Sequence, residues 1–200
     1  MIYINSYPRS GNNYAQSACR MHLAEDFDIR HDPDILNTGI EQIVILRSPF
    51  EAVASNVERF ALGDPEITGY ETGIPVEQNA EWYINKYIAQ NLDVYSYFID
   101  KIENVDNSTM VVDFNSMTQD PEVFIRDAAD FFGCAIIHED KLAGIKENLH
   151  TLMSTEYQYF YPKHSTGNYR QIANKLIHDH PKADRLYTRY TNILVNQNIV

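Results

Sequence analysis

Apolar positions along this chain follow two alternating patterns. Short continuous runs at Ile2–Ser6, Phe27–Arg30, Ile43–Arg47 and Thr109–Phe114 predict strands. The densest, Ile43-Val44-Ile45-Leu46, is of the kind buried on both faces of a parallel sheet. Between the runs, apolar residues recur at three- and four-residue spacing, which predicts helices. One runs from about Gly11 to Glu25 with Tyr14, Ala18, Met21 and Ala24 on its inner face. A longer one runs from Glu81 to Ile102, with Ile84, Tyr87, Ile88, Leu92, Tyr95, Ile99 and Ile102 along one stripe. Asp120-Pro121 caps a helix that reaches Gly133 and turns Phe124, Ala128 and Phe132 inward, and Asp140–Leu149 and Pro181–Val195 are further helices.

The start at Ser48-Pro49-Phe50-Glu51 is the clearest of all: Ser48 is the N-cap, Pro49 takes the first helical position and Glu51 closes a capping box. Such a cap contributes on the order of 1 kcal/mol. Residues 63–77 hold three Gly, two Pro and four acidic residues and read as a loop, either a lid or an insertion. Strands alternating with helices, with no internal repeat and no break in composition, predict one α/β domain over residues 1–200. Its architecture is three-layered, with a central parallel sheet and a P-loop-like strand–loop–helix phosphate site.

Composition narrows the function. Hydrophobic residues at 44% and charged residues at 22% are globular values. Sixteen Lys and Arg against 28 Asp and Glu give a net charge of −12, which counts against nucleic acid or an anionic membrane surface as a partner, but not against a small anion held locally. The longest aliphatic run, four residues, is far short of the roughly 20 needed for a membrane span. The chain opens directly on the strand-like Ile2-Tyr3-Ile4, so no leader is expected. Cys19 and Cys134, both among apolar neighbours, suit a reducing compartment, and the expected location is cytoplasmic.

Two segments carry candidate chemistry. Tyr7-Pro8-Arg9-Ser10-Gly11-Asn12-Asn13 follows the first strand and opens the first helix. A tight glycine turn of this kind aims free helix N–H groups at an anion. Gly11 allows close approach, Ser10, Asn12 and Asn13 add polar groups, and Arg9 supplies the cation. A plain polar turn is the alternative. No Gly-Lys-Ser/Thr follows, so this is not the loop of ordinary ATP or GTP hydrolases. In the second segment Arg47 stands at a strand's carboxyl end, where open α/β sheets bind ligands. Ser55, eight residues on, shares a face with the start of the following helix, so Arg47 and Ser55 can hold one anionic group together; a surface ion pair is the alternative for Arg47.

These two segments together resemble the sulfotransferases that use 3′-phosphoadenosine 5′-phosphosulfate. Tyr7-Pro8-Arg9-Ser10-Gly11-Asn12-Asn13-Tyr14 is similar to that family's 5′-phosphosulfate loop, and Val44-Ile45-Leu46-Arg47-Ser48-Pro49 with Ala52-Val53-Ala54-Ser55 to its 3′-phosphate strand and helix. Val111-Val112-Asp113-Phe114-Asn115-Ser116-Met117 resembles a later strand and helix, with Phe114 in place of an aromatic near the adenine and Thr151 in place of a nucleotide-contacting threonine. Lys163-His164-Ser165-Thr166-Gly167 resembles the loop that closes over the 3′-phosphate. It departs from the family at Pro162 and His164, so Lys163 and Gly167 carry over and His164 would lie near the nucleotide.

The resemblance implies transfer of a sulfuryl group from 3′-phosphoadenosine 5′-phosphosulfate, without a metal, to a hydroxyl or amine of a small-molecule, glycan or lipid acceptor. Arg9 would neutralise charge growing on the leaving phosphate. His31 would be the base, with Asp32 in reserve, because it precedes Arg47 where the family's histidine lies. Trp82 and the tyrosines of its helix line either an acceptor pocket or the core. The shortened segment between Arg9 and Arg47 implies an open site for a bulky acceptor, and the charge of −12 disfavours a polyanionic one. Two other readings stand beside this one, a P-loop nucleotide kinase and a non-catalytic nucleotide-binding or regulatory protein. The sequence sets no oligomeric state.

Overall fold

A computed structural model of the chain describes residues 1–8, 10–61, 80–155 and 168–196. Arg9, residues 63–77, Lys163, His164 and Gly167 lie outside the described residues. The elements in chain order are β1 (Ile2–Asn5), α1 (Asn12–His22), β2 (Phe27–Arg30), β3 (Gln42–Leu46), α2 (Pro49–Ala61), α3 (Ala80–Ile102), β4 (Thr109–Asp113), α4 (Phe114–Gln119), α5 (Pro121–Phe132), α6 (Ile145–Thr155), α7 (Asn168–His178) and α8 (Pro181–Asn196). The four strands form one parallel sheet in the order β2-β1-β3-β4.

Side chains alternate across the sheet and divide the core in two. From β3, Val44 and Leu46 join a cluster with α2, α3, α7 and α8, while Ile43 and Ile45 join Ile2, Ile4, α1, α4, α5 and α6 on the other face. All five β3 residues are buried, as the continuous apolar run requires. Each fully buried isoleucine contributes roughly 1.5–3 kcal/mol, so the two clusters hold the layers together. The α3 stripe is as its periodicity predicts: Ile84, Ile88, Leu92, Tyr95, Ile99 and Ile102 are buried, and Tyr87 packs against them. No helix among the described residues is long and apolar enough to cross a membrane.

The observed ends differ from the predicted ones for identifiable reasons. Helix α1 stops at His22 rather than near Glu25, and Ala24 is exposed. Leu23 is extended and bridges Ile136, while the Ile137 N–H donates to the His22 carbonyl and the Ala24 N–H to the Ala135 carbonyl. A passing segment thus takes the groups that would extend the helix. Strand β4 ends at Asp113 because that side chain caps α4, accepting from the Asn115 and Ser116 N–H groups at 2.9 and 3.1 Å. Phe114 therefore begins a helix instead of ending a strand. The segment expected as one helix over Asp140–Leu149 is a 3-10 turn, Glu139–Gly144, followed by α6. Neither α4 nor α7 is predicted by periodicity.

Candidate functional site

The strand order places the site. The chain runs from β1 outward to β2 and then returns to the other side of β1 as β3. The connections therefore leave β1 and β3 in opposite directions, and a crevice opens at their carboxyl ends. The turn after β1 and the residues after β3 flank that crevice, and these are the two segments singled out from the sequence.

Strand register aligns what comes next. Ile4 pairs with Ile29 and Asn5 with Arg30, which puts Ser6 beside His31. The His31 Nδ1 lies 2.8 Å from the Ser6 carbonyl oxygen. Leu46 pairs with Asp113, so Arg47 and Phe114 emerge side by side, and the Arg47 guanidinium sits 4.3 Å above the centre of the Phe114 ring. The Phe114 ring also closes the first turn from below. A Cβ built on Gly11 would come within 2.7 Å of Phe114 Cδ2, and Gly11 has a φ of 101°. Glycine is required there twice over, for conformation and for space. Beyond Gly11, the Asn12 amide nitrogen lies 3.3 Å from His31 Nδ1. An unbroken line of contacts therefore crosses all four strand ends: His31, Asn12, Gly11, Phe114 and Arg47.

The turn has the properties of an anion cradle. Gly11 at the N-cap brings no side chain to α1's first turn, and that turn contains no acidic residue. The hydroxyl of Ser10 is buried with no hydrogen-bond partner, as is Asn12 Oδ1. Asn13 and Tyr14 are half-buried on the first turn of α1, and burial pushes the Tyr14 phenol up to about 12. Ser6 Oγ accepts the Ile45 N–H at 2.6 Å, continuing the β1–β3 contact past the end of the ladder.

Behind the cradle a buried polar set ties the turn to the helices. The Tyr7 hydroxyl donates to Asn91 Oδ1 at 2.6 Å, and the Asn56 amide donates to the same oxygen at 2.6 Å. Burial pushes the Tyr7 phenol far above its usual range. The Tyr95 hydroxyl donates to the Arg47 carbonyl at 2.6 Å, and the Tyr190 hydroxyl to Asp113 Oδ1 at 2.7 Å. Tyr95 is thus a core and support residue, not part of an open pocket. Trp82 lies on α3, but its side chain is outside the described residues.

The remaining expected residues have clear placements. Arg47 Nε lies 3.2 Å from the carboxylate of Glu51, one turn into α2, so the residue expected to close the capping box pairs with Arg47. Ser55 is buried on the second turn of α2. Thr151 is exposed on α6, with its hydroxyl donating to the Glu147 carbonyl one turn earlier. Asp32 is exposed and caps a 3-10 turn, Pro33–Ile35, by accepting the Asp34 N–H. Sequence reasoning missed Asn5, Asn56 and Asn91, all buried. The available signal was a polar residue inside an otherwise apolar strand or helix stripe, a placement that requires buried partners. Among the described residues no group of three or more His, Cys, Asp or Glu side chains is arranged to hold a metal ion.

No family model and no curated protein matches this chain. Among solved structures it is similar to mouse sulfotransferase SULT7A1 complexed with PAP, with a TM-score of 0.56 over 98% of this chain and 84% of that one. The architecture is a sulfotransferase fold. Identity over the match is 13%, so the likeness is one of backbone arrangement.

Proposed function

We propose that this chain transfers a sulfuryl group from 3′-phosphoadenosine 5′-phosphosulfate to a hydroxyl or amine and releases adenosine 3′,5′-bisphosphate, as one sulfotransferase-like domain. The observation that carries this reading is the contact line His31–Asn12–Gly11–Phe114–Arg47, which joins an anion-accepting turn to a cation on one side and an imidazole on the other. A donor with phosphate at both the 3′ and 5′ positions needs two anion sites at a set separation, and Phe114 is the spacer between them. The fold it shares with a sulfotransferase complexed with PAP supports the same donor.

The residues present fit such a donor. An anion in the turn gives the buried Ser10 hydroxyl the partner it lacks and meets the free N–H groups of α1. Arg47 and Ser55 take the 3′-phosphate, with the guanidinium held over the Phe114 ring, 4.3 Å from its centre. Arg9, Lys163, His164 and Gly167 complete the set in this reading, Arg9 by neutralising charge on the leaving oxygen. When bound, the donor supplies the sulfuryl group and a stable leaving group. The chain supplies alignment, charge and a base. Nε2 of His31 takes the proton from the acceptor oxygen as that oxygen bonds to sulfur. The bond from sulfur to the leaving phosphate breaks, and its electron pair stays on the leaving oxygen.

Calorimetry with adenosine 3′,5′-bisphosphate and adenosine 5′-monophosphate tests the assignment without knowledge of the acceptor. Charged hydrogen bonds contribute about 1.5–3 kcal/mol, so Arg47→Ala is expected to weaken the bisphosphate about 10- to 150-fold. Affinity for the monophosphate stays within about twofold. Equal losses for both ligands, or no binding of the bisphosphate to the unmodified chain, would overturn the proposal.

A further inference from the structure

Asn5 is fully buried at the end of β1, a position where an apolar residue would pack without needing partners. Its amide instead makes three hydrogen bonds. Nδ2 donates to the Asp32 carbonyl at 2.7 Å and to Gln42 Oε1 at 3.1 Å, while Oδ1 accepts the Asp32 N–H at 3.0 Å. The orientation is determined by partners of fixed polarity, the Asp32 carbonyl, which only accepts, and the Asp32 N–H, which only donates. Gln42 Nε2 donates to the Ile35 carbonyl at 3.1 Å, which leaves Gln42 Oε1 facing Asn5 and requires a donor there. The backbone ladder between β1 and β2 ends at Asn5 and Arg30, and the Asn5 side chain supplies the next rung. It grips the residue after His31 by both backbone groups.

The consequence falls on the imidazole. With Asp32 gripped, the His31 ring is delivered against the Ser6 carbonyl, 2.8 Å from Nδ1. A carbonyl cannot donate, so Nδ1 carries the hydrogen and, in the neutral ring, Nε2 carries the lone pair. In water an imidazole prefers the opposite arrangement, with its hydrogen on Nε2. The Asn12 amide nitrogen lies farther from Nδ1, at 3.3 Å, so the shorter contact with the Ser6 carbonyl, an obligate acceptor, sets the hydrogen on Nδ1, and Asn12 meets that hydrogen only with its amide turned over to present Oδ1.

We propose that Asn5 is a positioning residue whose amide, held by Gln42, fixes His31 in the Nδ1–H tautomer and thereby makes Nε2 the proton-accepting nitrogen. The catalytic part of this rests on the transfer reaction proposed above; the tautomer itself does not.

The test is a long-range proton–nitrogen correlation spectrum of the full-length ¹⁵N-labelled chain at mildly alkaline pH, with His31 assigned by its loss in His31→Gln. The unmodified chain is expected to show a protonated Nδ1 and a lone-pair Nε2. Asn5→Ala moves His31 toward the Nε2–H pattern, and Gln42→Leu, which leaves Asn5 in place but frees its amide, moves it part of the way. An Nε2–H pattern in the unmodified chain overturns the proposal whether or not the variants fold. So does an unchanged pattern in both folded variants. Calorimetry with adenosine 3′,5′-bisphosphate on the same samples separates the two claims. A Nδ1–H tautomer without bisphosphate binding supports the clamp and removes the transfer reading. Bisphosphate binding with a Nε2–H tautomer overturns the clamp and leaves the transfer reading in place.

Discussion

Replacing Gly11 by alanine perturbs the point where the two anion-binding segments meet. The new methyl group imposes two penalties that can be separated. A residue with a Cβ at a φ of 101° is strained by about 1–2 kcal/mol. The methyl would also stand 2.7 and 2.8 Å from two carbons of the Phe114 ring and 3.2 Å from Met117 Cε. The Arg47 guanidinium lies 4.3 Å from the ring centre, so a shift of the ring also disturbs that contact. Overpacking of this kind costs about 1–3 kcal/mol, so the expected total is about 2–5 kcal/mol. Urea denaturation of the unmodified chain, Gly11→Ala, Phe114→Ala and the double variant forms a cycle that isolates the steric part. Removing the ring should relieve about 1–3 kcal/mol of the alanine penalty, while the conformational part stays. A Gly11→Ala cost below about 0.5 kcal/mol, or strict additivity in the cycle, would refute the contact between Phe114 and the turn. The link between the two anion sites would fall with it.

Two further predictions concern pH. Burial raises the Tyr7 and Tyr95 phenols well above their ordinary value of 10.0, so the folded chain holds these protons more tightly than the unfolded chain does. Their contribution is complete below pH 10 and is lost as pH rises above it, by about 1.4 kcal/mol per pH unit for each group. Urea midpoints should therefore fall steeply above pH 10, and a flat profile from about pH 9 to 11 would contradict the burial of these rings. His22 behaves in the opposite sense. Its ring is buried, and burial lowers its pKa from 6.5 against a smaller opposing effect of the His138 backbone, so its contribution is present above pH 6.5 and is lost as pH falls through the lowered value. His22→Phe should flatten the acid side of the stability profile just below pH 6.5; an unchanged slope would show that the ring is protonated in the folded chain.

Much of the architecture was legible from local pattern. The run Ile43–Leu46, short and β-branched at its first three positions, reads as a strand buried on both sides, and the α3 stripe reads as a helix against a core because its spacing matches helical geometry. The glycine turn and Arg47 were legible as anion-binding candidates because their positions after strands carry a physical meaning of their own. The short helix α4 was not, since it depends on the Asp113 carboxylate turning to cap the chain just after it. The early end of α1 was not legible either. Its terminal groups are taken by residues 135–137, more than a hundred positions away in sequence, and no local window contains that competition.

The sequence by itself determined the α/β alternation, the two strand-end segments and the residue types that suit phosphate and proton chemistry. Which of those residues stand together was decided by tertiary structure. Register pairs Leu46 with Asp113 and Asn5 with Arg30, and only those pairings bring Arg47 over Phe114 and His31 to the Ser6 carbonyl. The physical reason lies in the range of the forces. Periodicity is a property of neighbours along the chain. The order β2-β1-β3-β4, and the crevice it opens, is selected by burying two apolar faces at once, which involves every strand and every helix of the core.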